Sequence, residues 1–453
     1  MPILRPEHEI FPAAIFAVAE PCRVAHVRGR QTKASVVSLV SVAAVFLFAA
    51  NASAQLVTDE VPRERTVPRS EEIRRDLAET RFRFGPVRLQ PIFGLRDTGY
   101  DNNVFGTPDN PVSDWRSTVS AGADLILPLG RKLYVTGIVN PQYTYYNKVT
   151  NRRLFGGQYG GTVLALFNRL SIEAGGTQEK VISQVNSELE RAAPGTFRDV
   201  FARTELEIFR RLVVFGSAQQ QQQRYLSVSD PGQEIDLSLL ERNSTFVRGG
   251  VGYRLRSYMD VTLSEETGRT EFVTARQSDN TTKATLLGVR YDRPRFFLNL
   301  LGGWRTLEPL GASSTFPRNA GATGSYYAAY QLGAPVAIDV YGHRSAVYGL
   351  YTASPYFIET RNAIGLTLPI RQRLGLRAFT EVGSNAYPVA LAGSVRRRDD
   401  VTMVGGGITY RVYRKSLVTV TASQVRYDSN FPDFNRSVFR LATFVSFTGD
   451  SFR

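Results

Sequence analysis

The sequence predicts an all-β chain: a transmembrane, antiparallel, up-and-down β-barrel of about eighteen strands, with sixteen as the alternative. Three observations predict it. Apolar and polar side chains alternate from Pro86 nearly to the C-terminus, and a period of two makes an extended ribbon with two unlike faces. Short basic turns alternate with long polar loops in a repeat of about forty residues, which leaves room for two long strands per repeat. Tyr (21), Phe (27) and Gly (38) are plentiful while Met (3) and Cys (1) are scarce in the 453 residues, a strand-rich profile. A mean hydropathy of -0.18 fits such a barrel, because a polar lumen dilutes the apolar exterior.

The N-terminal stretch reads as a leader. Arg5, Arg23, Arg28, Arg30 and Lys33 precede an uncharged run from Ala34 to Asn51, followed by Ala52-Ser53-Ala54. A basic region, a short apolar core and a small-residue site describe a secretory signal peptide over 1–54, cut near Ala54. Cys22 lies within it, so the chain after cleavage forms no disulfide or thiolate metal site. Residues 55–85 are polar and charged, with Pro62 and Pro68, and Ser70 could cap a short helix through Glu71, Glu72, Arg74, Arg75 and Asp76. No apolar stripe there is wide enough to hold a core. The segment reads as a periplasmic arm or linker, or alternatively as a plug.

The barrel occupies 86–453. Ala121 to Tyr145 shows its unit, two alternating runs joined at Pro128-Leu129-Gly130. Leu133, Val135, Gly137, Val139, Pro141 and Tyr143 share one face; Tyr134, Thr136, Ile138, Asn140, Gln142 and Thr144 share the other. Short turns recur near Gly130, Asn168, Arg210, Arg256, Arg293, Gly333, Gln372 and Arg414. A first strand over Val87–Asp97 and a last over Ser437–Phe447 complete the count. The long loops fall at Asp97–Asp114, Ser183–Thr196, Ser227–Arg242, Thr270–Thr282, Leu307–Asn319 and Asn385–Asp399. Short turns at one end and long loops at the other is the asymmetry of outer-membrane barrels, whose turns face the periplasm. Closure is required, since open strand edges do not survive in hydrocarbon. The alternation ends at Phe447, and Thr448–Arg453 overhang with Phe452 penultimate.

With apolar residues turned to lipid, the opposite face carries Arg248, Arg254, Arg290, Arg305, Arg377 and Arg440, fewer acids (Asp260, Asp339 and Glu381), and His343. A charge facing mid-membrane lipid costs roughly 2–4 kcal/mol, so these residues line a lumen. A barrel of this size holds an aqueous channel. An arginine excess inside it favours anions, unless the arginines simply pair with the carboxylates and fill space. Gln219–Gln223 reads as a solvated strand extension at headgroup level. Tyr100, Phe105, Trp115, Tyr356 and Tyr387 read as interfacial girdle aromatics.

Chemistry is missing. His343 is the one histidine outside the leader, and the sequence has no nucleophile elbow, zinc spacing, P-loop or dinucleotide fingerprint. The chain therefore reads as no enzyme, with no cofactor and no metal. Its formal charge of +14 is spread over every hairpin, which argues against nucleic acid.

Gly99-Tyr100-Asp101-Asn102-Asn103-Val104-Phe105 resembles the opening motif of the β-barrel porin 2 family of Gram-negative outer-membrane proteins. The resemblance covers about Pro86 to the C-terminus. It implies an outer-membrane barrel, with exopolysaccharide export as the role of some members, and it supplies no catalytic residues. Tyr427-Asp428-Ser429-Asn430-Phe431 echoes the motif before the last strand. Pairing of first and last strands would bring the two copies together as an Asp/Asn clasp at the loop rim; two ordinary Asx turns are the alternative. The expected role is porin-like passage of small solutes or saccharides across the cell outer membrane, with membrane lipid as surroundings. The alternatives are an export component acting with periplasmic proteins through residues 55–85, and a closed structural or adhesive barrel.

Overall fold

The structure is a computed structural model that describes residues 73, 77, 80, 82–226, 235–311, 314, 316–333, 336–350, 354–371, 373–392, 395–413 and 416–448. The leader, most of the 55–85 segment and most of the C-terminal overhang lie outside the described residues. Nineteen strands follow in order. A short β1 (Phe82–Phe84) leads into β2 (Val87–Asp101), β3 (Asp114–Leu129), β4 (Leu133–Tyr146) and β5 (Leu154–Leu166). Then come β6 (Leu170–Gln184), β7 (Ala192–Phe209), β8 (Leu212–Tyr225), β9 (Arg242–Arg256) and β10 (Met259–Phe272). They continue with β11 (Asn280–Arg293), β12 (Phe296–Pro309), β13 (Asn319–Gly333), β14 (Val336–Tyr348) and β15 (Tyr356–Arg371). The last four are β16 (Leu374–Ala392), β17 (Val395–Tyr413), β18 (Ser416–Ser429) and β19 (Arg436–Thr448).

Each strand from β2 to β19 pairs antiparallel with the next, and β19 returns to β2 from Arg440↔Asp101 to Thr448↔Ile92. The ring is a closed eighteen-stranded barrel, with β1 as an extra strip on β2. Closure leaves no unpaired edge inside the ring. The seam is tight: a Cβ on Gly99 would stand 1.7 Å from the Leu441 carbonyl oxygen. Just before it the β2–β19 register shifts, and Asp97 takes a positive φ of 51°.

The exterior carries an apolar belt. Val251, Leu263, Leu287 and Leu300, on four consecutive strands, are 45%, 51%, 51% and 41% exposed. A continuous exposed belt of this kind is what lipid covers and water does not. The strands run on beyond it. They measure from 13 to 19 residues, whereas about 9–11 suffice to cross a bilayer. On the loop side of Leu263 the outward face of β10 turns polar at Glu265, Thr267, Arg269 and Glu271. On β8, Gln220 and Gln222 occupy the outward positions of the glutamine run.

This overshoot corrects the expected loop boundaries. Asn385–Asp399 is the protruding end of the β16–β17 hairpin. Its charges alternate with strand period, so Arg397 pairs with Asp399 on the inner face and Arg398 with Asp400 on the outer face. Beyond lipid, a charged side chain does not end a strand.

The barrel has a packed interior at its loop end. Tyr225, Phe272 and Leu307 point inward and meet Ala346, Tyr348 and Tyr356, because the tip of the β14–β15 hairpin tucks inside the ring. Phe272 and Tyr348 contact edge to face with centroids 5.0 Å apart, and Phe316 stacks on Tyr356 at 4.9 Å. A second cluster joins Val104, Phe105, Tyr146, Val149 and Ile182. At the turn end, helical Ile73 and Leu77 pack on the inward residues Tyr134, Leu164 and Leu166. The sequence reading found no stripe wide enough for packing in this segment. Two apolar residues one helical turn apart suffice, because the barrel wall offers Leu164 and Leu166 on its inner face.

Candidate functional site

The segment between β6 and β7 spans the interior. Asn186 Nδ2 donates to the Tyr348 carbonyl at 3.0 Å, and Asn186 Oδ1 accepts from its own Leu189 N at 3.0 Å. Glu188 Oε2 accepts from the Leu350 N–H at 2.7 Å, and Glu188 Oε1 lies 3.7 Å from Arg397 Nη1. Arg436 Nη2 donates to the Ser187 carbonyl at 2.7 Å. Glu190 accepts from Arg440 Nη1 at 2.6 Å, from the Tyr427 hydroxyl, and from Gln184 Nε2 at 2.8 Å. The segment 185–191 between β6 and β7 is thus tied to β14, β17, β18 and β19 on the far side of the ring. Asn186, Ser187, Glu188, Glu190 and Arg191 are all at most 5% exposed. Burial pushes the Glu188 carboxyl above its usual range, against the Leu350 N–H and the Arg397 charge, which both lower it.

The far wall carries an arginine-rich network. Arg377 grips Asp339 with two bonds of 2.9 and 2.7 Å. Arg361 meets Glu359 at 3.0 Å and Glu381 at 3.5 Å, and His343 Nε2 lies 3.0 Å from Glu359. Tyr341 donates to Glu381 at 3.0 Å. Arg397 is bidentate on Asp399 at 2.9 and 2.7 Å and lies over the rings of Phe434 and Tyr387. Planar guanidinium forks and flat carboxylates hold such geometry well.

The sequence-selected residues distribute as follows. Arg248, Arg254, Arg290, Arg305, Arg377, Arg440, Asp260, Asp339, Glu381 and His343 all fall on the inward face. Arg248 is buried and donates to Ser264 Oγ at 3.2 Å. Arg305 meets Glu266 at 3.2 Å. Arg254 meets Asp260 at 3.4 Å and Arg290 meets Asp292 at 3.4 Å, both near the turns. In the described structure these arginines are engaged with carboxylates or hydroxyls.

The motif residues are brought together only in part. Tyr100 packs against Trp115 on the outside at 5.8 Å. Asp101 points inward and accepts from Arg440 Nε at 3.0 Å and from Asn103 N at 2.9 Å. Asn102 closes the seam, its N–H donating to the Phe439 carbonyl at 3.1 Å and its Oδ1 accepting from Phe439 N at 2.7 Å. Asn103 folds the following loop through Thr107. Phe105 is buried beneath Arg152, 4.5 Å from its ring.

The second copy does not meet the first. β19 lies between them, and Asp428 faces outward to Arg426 at 2.9 Å, so the expected clasp is replaced by Asn102–Phe439 and Asp101–Arg440. Asn430 instead braces β17, accepting from Arg398 N at 2.9 Å and donating to the Arg396 carbonyl at 2.8 Å. Tyr427 turns inward to Glu190. Of the expected girdle aromatics, Tyr100 and Trp115 face out, while Phe105, Tyr356 and Tyr387 are buried inside.

Sequence reasoning passed over Glu188, Glu190, Arg361, Glu359, Arg397, Asp399 and Arg436. The available signals were two: Glu188, Glu190 and Arg191 clustered in one long loop, and Arg397 and Asp399 two apart on one strand face.

Among solved structures, the chain is similar to a BenF-like porin from Pseudomonas fluorescens Pf-5, at 13% identity and a TM-score of 0.51. The match covers 80% of this chain and 98% of that one. It also aligns with the outer membrane protein opdK of Pseudomonas aeruginosa, at 12% identity and a TM-score of 0.49 over 80% and 98% of the two chains. The likeness shows a shared barrel fold. No family model and no curated protein matches the sequence.

Proposed function

We propose that this chain is an outer-membrane porin of Gram-negative type, passing small polar solutes through a barrel narrowed by the loop between β6 and β7. The single observation that carries the reading is that loop, tied across a closed ring whose exterior is an apolar belt. In the same reading, residues 1–54 are the export signal, 55–85 a periplasmic arm or linker or alternatively a plug, and 86–453 the barrel. The inward arginines, held at fixed positions by carboxylates, hydroxyls and backbone carbonyls, shape the field a solute meets. Small anions and anionic saccharides suit the Arg361, Arg377, Arg397, Arg436 and Arg440 wall.

The test is single-channel conductance of the cleaved protein in a planar bilayer under a salt gradient. Discrete open steps with an anion-selective reversal potential are the expected result. Silence from both the whole chain and a version lacking 55–85 would replace the channel with a closed structural barrel.

A further inference from the structure

We infer that the short-turn rim is a docking collar for the phosphate headgroups of anionic phospholipid. The rim is basic at turn after turn. Arg169, Arg211, Arg256, Arg293, Arg295 and Arg373 all lie at short turns and are exposed. Asp260 and Asp292, the carboxylates nearest in sequence to Arg256, Arg293 and Arg295, fall on the inward face and take Arg254 and Arg290. Glu173, Glu205 and Glu207, near Arg169 and Arg211, alternate with the exposed Ile172 and Leu206 and so also face inward. The outward side of the rim is therefore left to the cations.

The same level carries the aromatic residues expected of a headgroup boundary. Tyr258, Tyr291, Phe296 and Tyr330 form a chain of ring contacts at 5.4, 5.6 and 6.4 Å around the outside. Cations sit on these rims of aromatics. The Arg293 guanidinium lies 3.5 Å from the Tyr258 ring centroid, and Lys132 Nζ lies 5.6 Å from that of Phe167 on a neighbouring turn. A ring below the guanidinium fixes its height, the Tyr258 hydroxyl takes a bond from Arg293 and another from Arg256, and the other edge donors of each fork point to where an anion would sit. Phosphate oxygens are the acceptors that match several such forks at one depth, and a basic cluster flush with the membrane surface attracts anionic lipid.

The inference rests on the outer-membrane reading only in placing the turns against the phospholipid leaflet. The experiment embeds the full chain in phosphatidylethanolamine vesicles doped with phosphatidylglycerol, extracts it gently, and quantifies the lipid that stays bound. Phosphatidylglycerol should be enriched over its share in the vesicle, and salt should weaken the enrichment. The triple variant R256Q/R293Q/R295Q should lose it, by about fivefold for each arginine removed. If the triple variant fails to assemble, R293Q/R295Q at one turn should show a proportionate drop.

Unchanged enrichment in either variant would overturn the collar. So would its loss in millimolar inorganic phosphate, which would assign the rim to free anions. Conductance of the same vesicles reads the channel separately. A silent barrel that keeps phosphatidylglycerol loses the porin reading and retains the collar; a conducting barrel without enrichment does the reverse.

Discussion

The two ends of the barrel use arginine in opposite ways. At the loop end the inward set of charges is buried or nearly so and holds one segment against the far wall: Arg397 with Glu188 and Asp399, Arg440 with Glu190 and Asp101, while Arg398 and Arg426 pair on the outer face. At the turn end Arg211, Arg256, Arg293 and Arg373 stand exposed around the outside of the rim. The difference lies in what surrounds each charge. A buried ion pair cannot lose one partner without leaving the other stranded, whereas an exposed charge is solvated either way. The inward loop-end arginines are therefore structural, and the exposed turn-end arginines are available to a partner.

Glu190→Ala should break the comparison most sharply. It removes the acceptor of Arg440, Tyr427 and Gln184 together. Arg440 keeps Asp101, so the cost is about 1–3 kcal/mol for each buried donor left without its partner, summed over three of them. The loop should release from the far wall, seen as a larger single-channel conductance and a lower thermal midpoint. An unchanged conductance would mean that this loop does not narrow the path.

Next in size is a pair of aspartates drawn from the two copies of the motif. Asp101→Ala frees Arg440 Nε and the Asn103 turn inside the seam, at a cost of about 1–3 kcal/mol for donors left without partners. Asp428→Ala removes an outward ion pair in which both side chains are more than half exposed, worth roughly 0–1 kcal/mol. Thermal unfolding should therefore separate the two variants. Equal effects would contradict the assignment of inner and outer faces.

The fold was legible because its signal is periodic and repeated. Alternation places Arg377 inward and Val251 outward whatever happens elsewhere, and the spacing of turns counts the strands. The loop-end chemistry was not legible for the opposite reason. Glu188 meets Arg397, and Glu190 meets Arg440, across the width of the ring, and no local pattern encodes which wall a loop reaches. The motif around Asp101 suggests half of a clasp with Asp428, yet one intervening strand, β19, and the outward orientation of Asp428 put it beyond reach. Strand ends fall elsewhere than expected at Asn385–Asp399 because polarity ends a strand's apolar face only within the hydrocarbon layer, and β16 and β17 run on beyond it.

A smaller effect should follow pH. Burial favours the protonated form of Glu188 in the docked loop, so its folded value lies above the ordinary glutamate value. The stabilisation is then full below that ordinary value, about 4.3, and is lost as pH rises through the raised one. The neighbours that face it are Arg397 and Asp399 on β17, Tyr387 on β16 and the Leu350 N–H. Docking should be firmest in acid and loosen as pH climbs, with conductance rising in step. Glu188→Gln keeps an acceptor for Leu350 N and cannot ionise, so its conductance should be flat over the same range. A slope that survives the substitution would place the titrating group elsewhere.

The smallest effect is expected at the turns, and it is the one that defines their role. In detergent micelles without lipid, Arg373→Gln should leave the thermal midpoint and the conductance where they are, because an exposed side chain of this kind loses little on truncation to a neutral polar group. The same substitution at the loop end, Arg397→Gln, would leave Asp399 buried without its bidentate partner and should lower the midpoint clearly. If Arg373→Gln destabilised the lipid-free barrel as much as Arg397→Gln, the turn-end charges would belong to the fold as well, and the division between a structural end and an available end would fail.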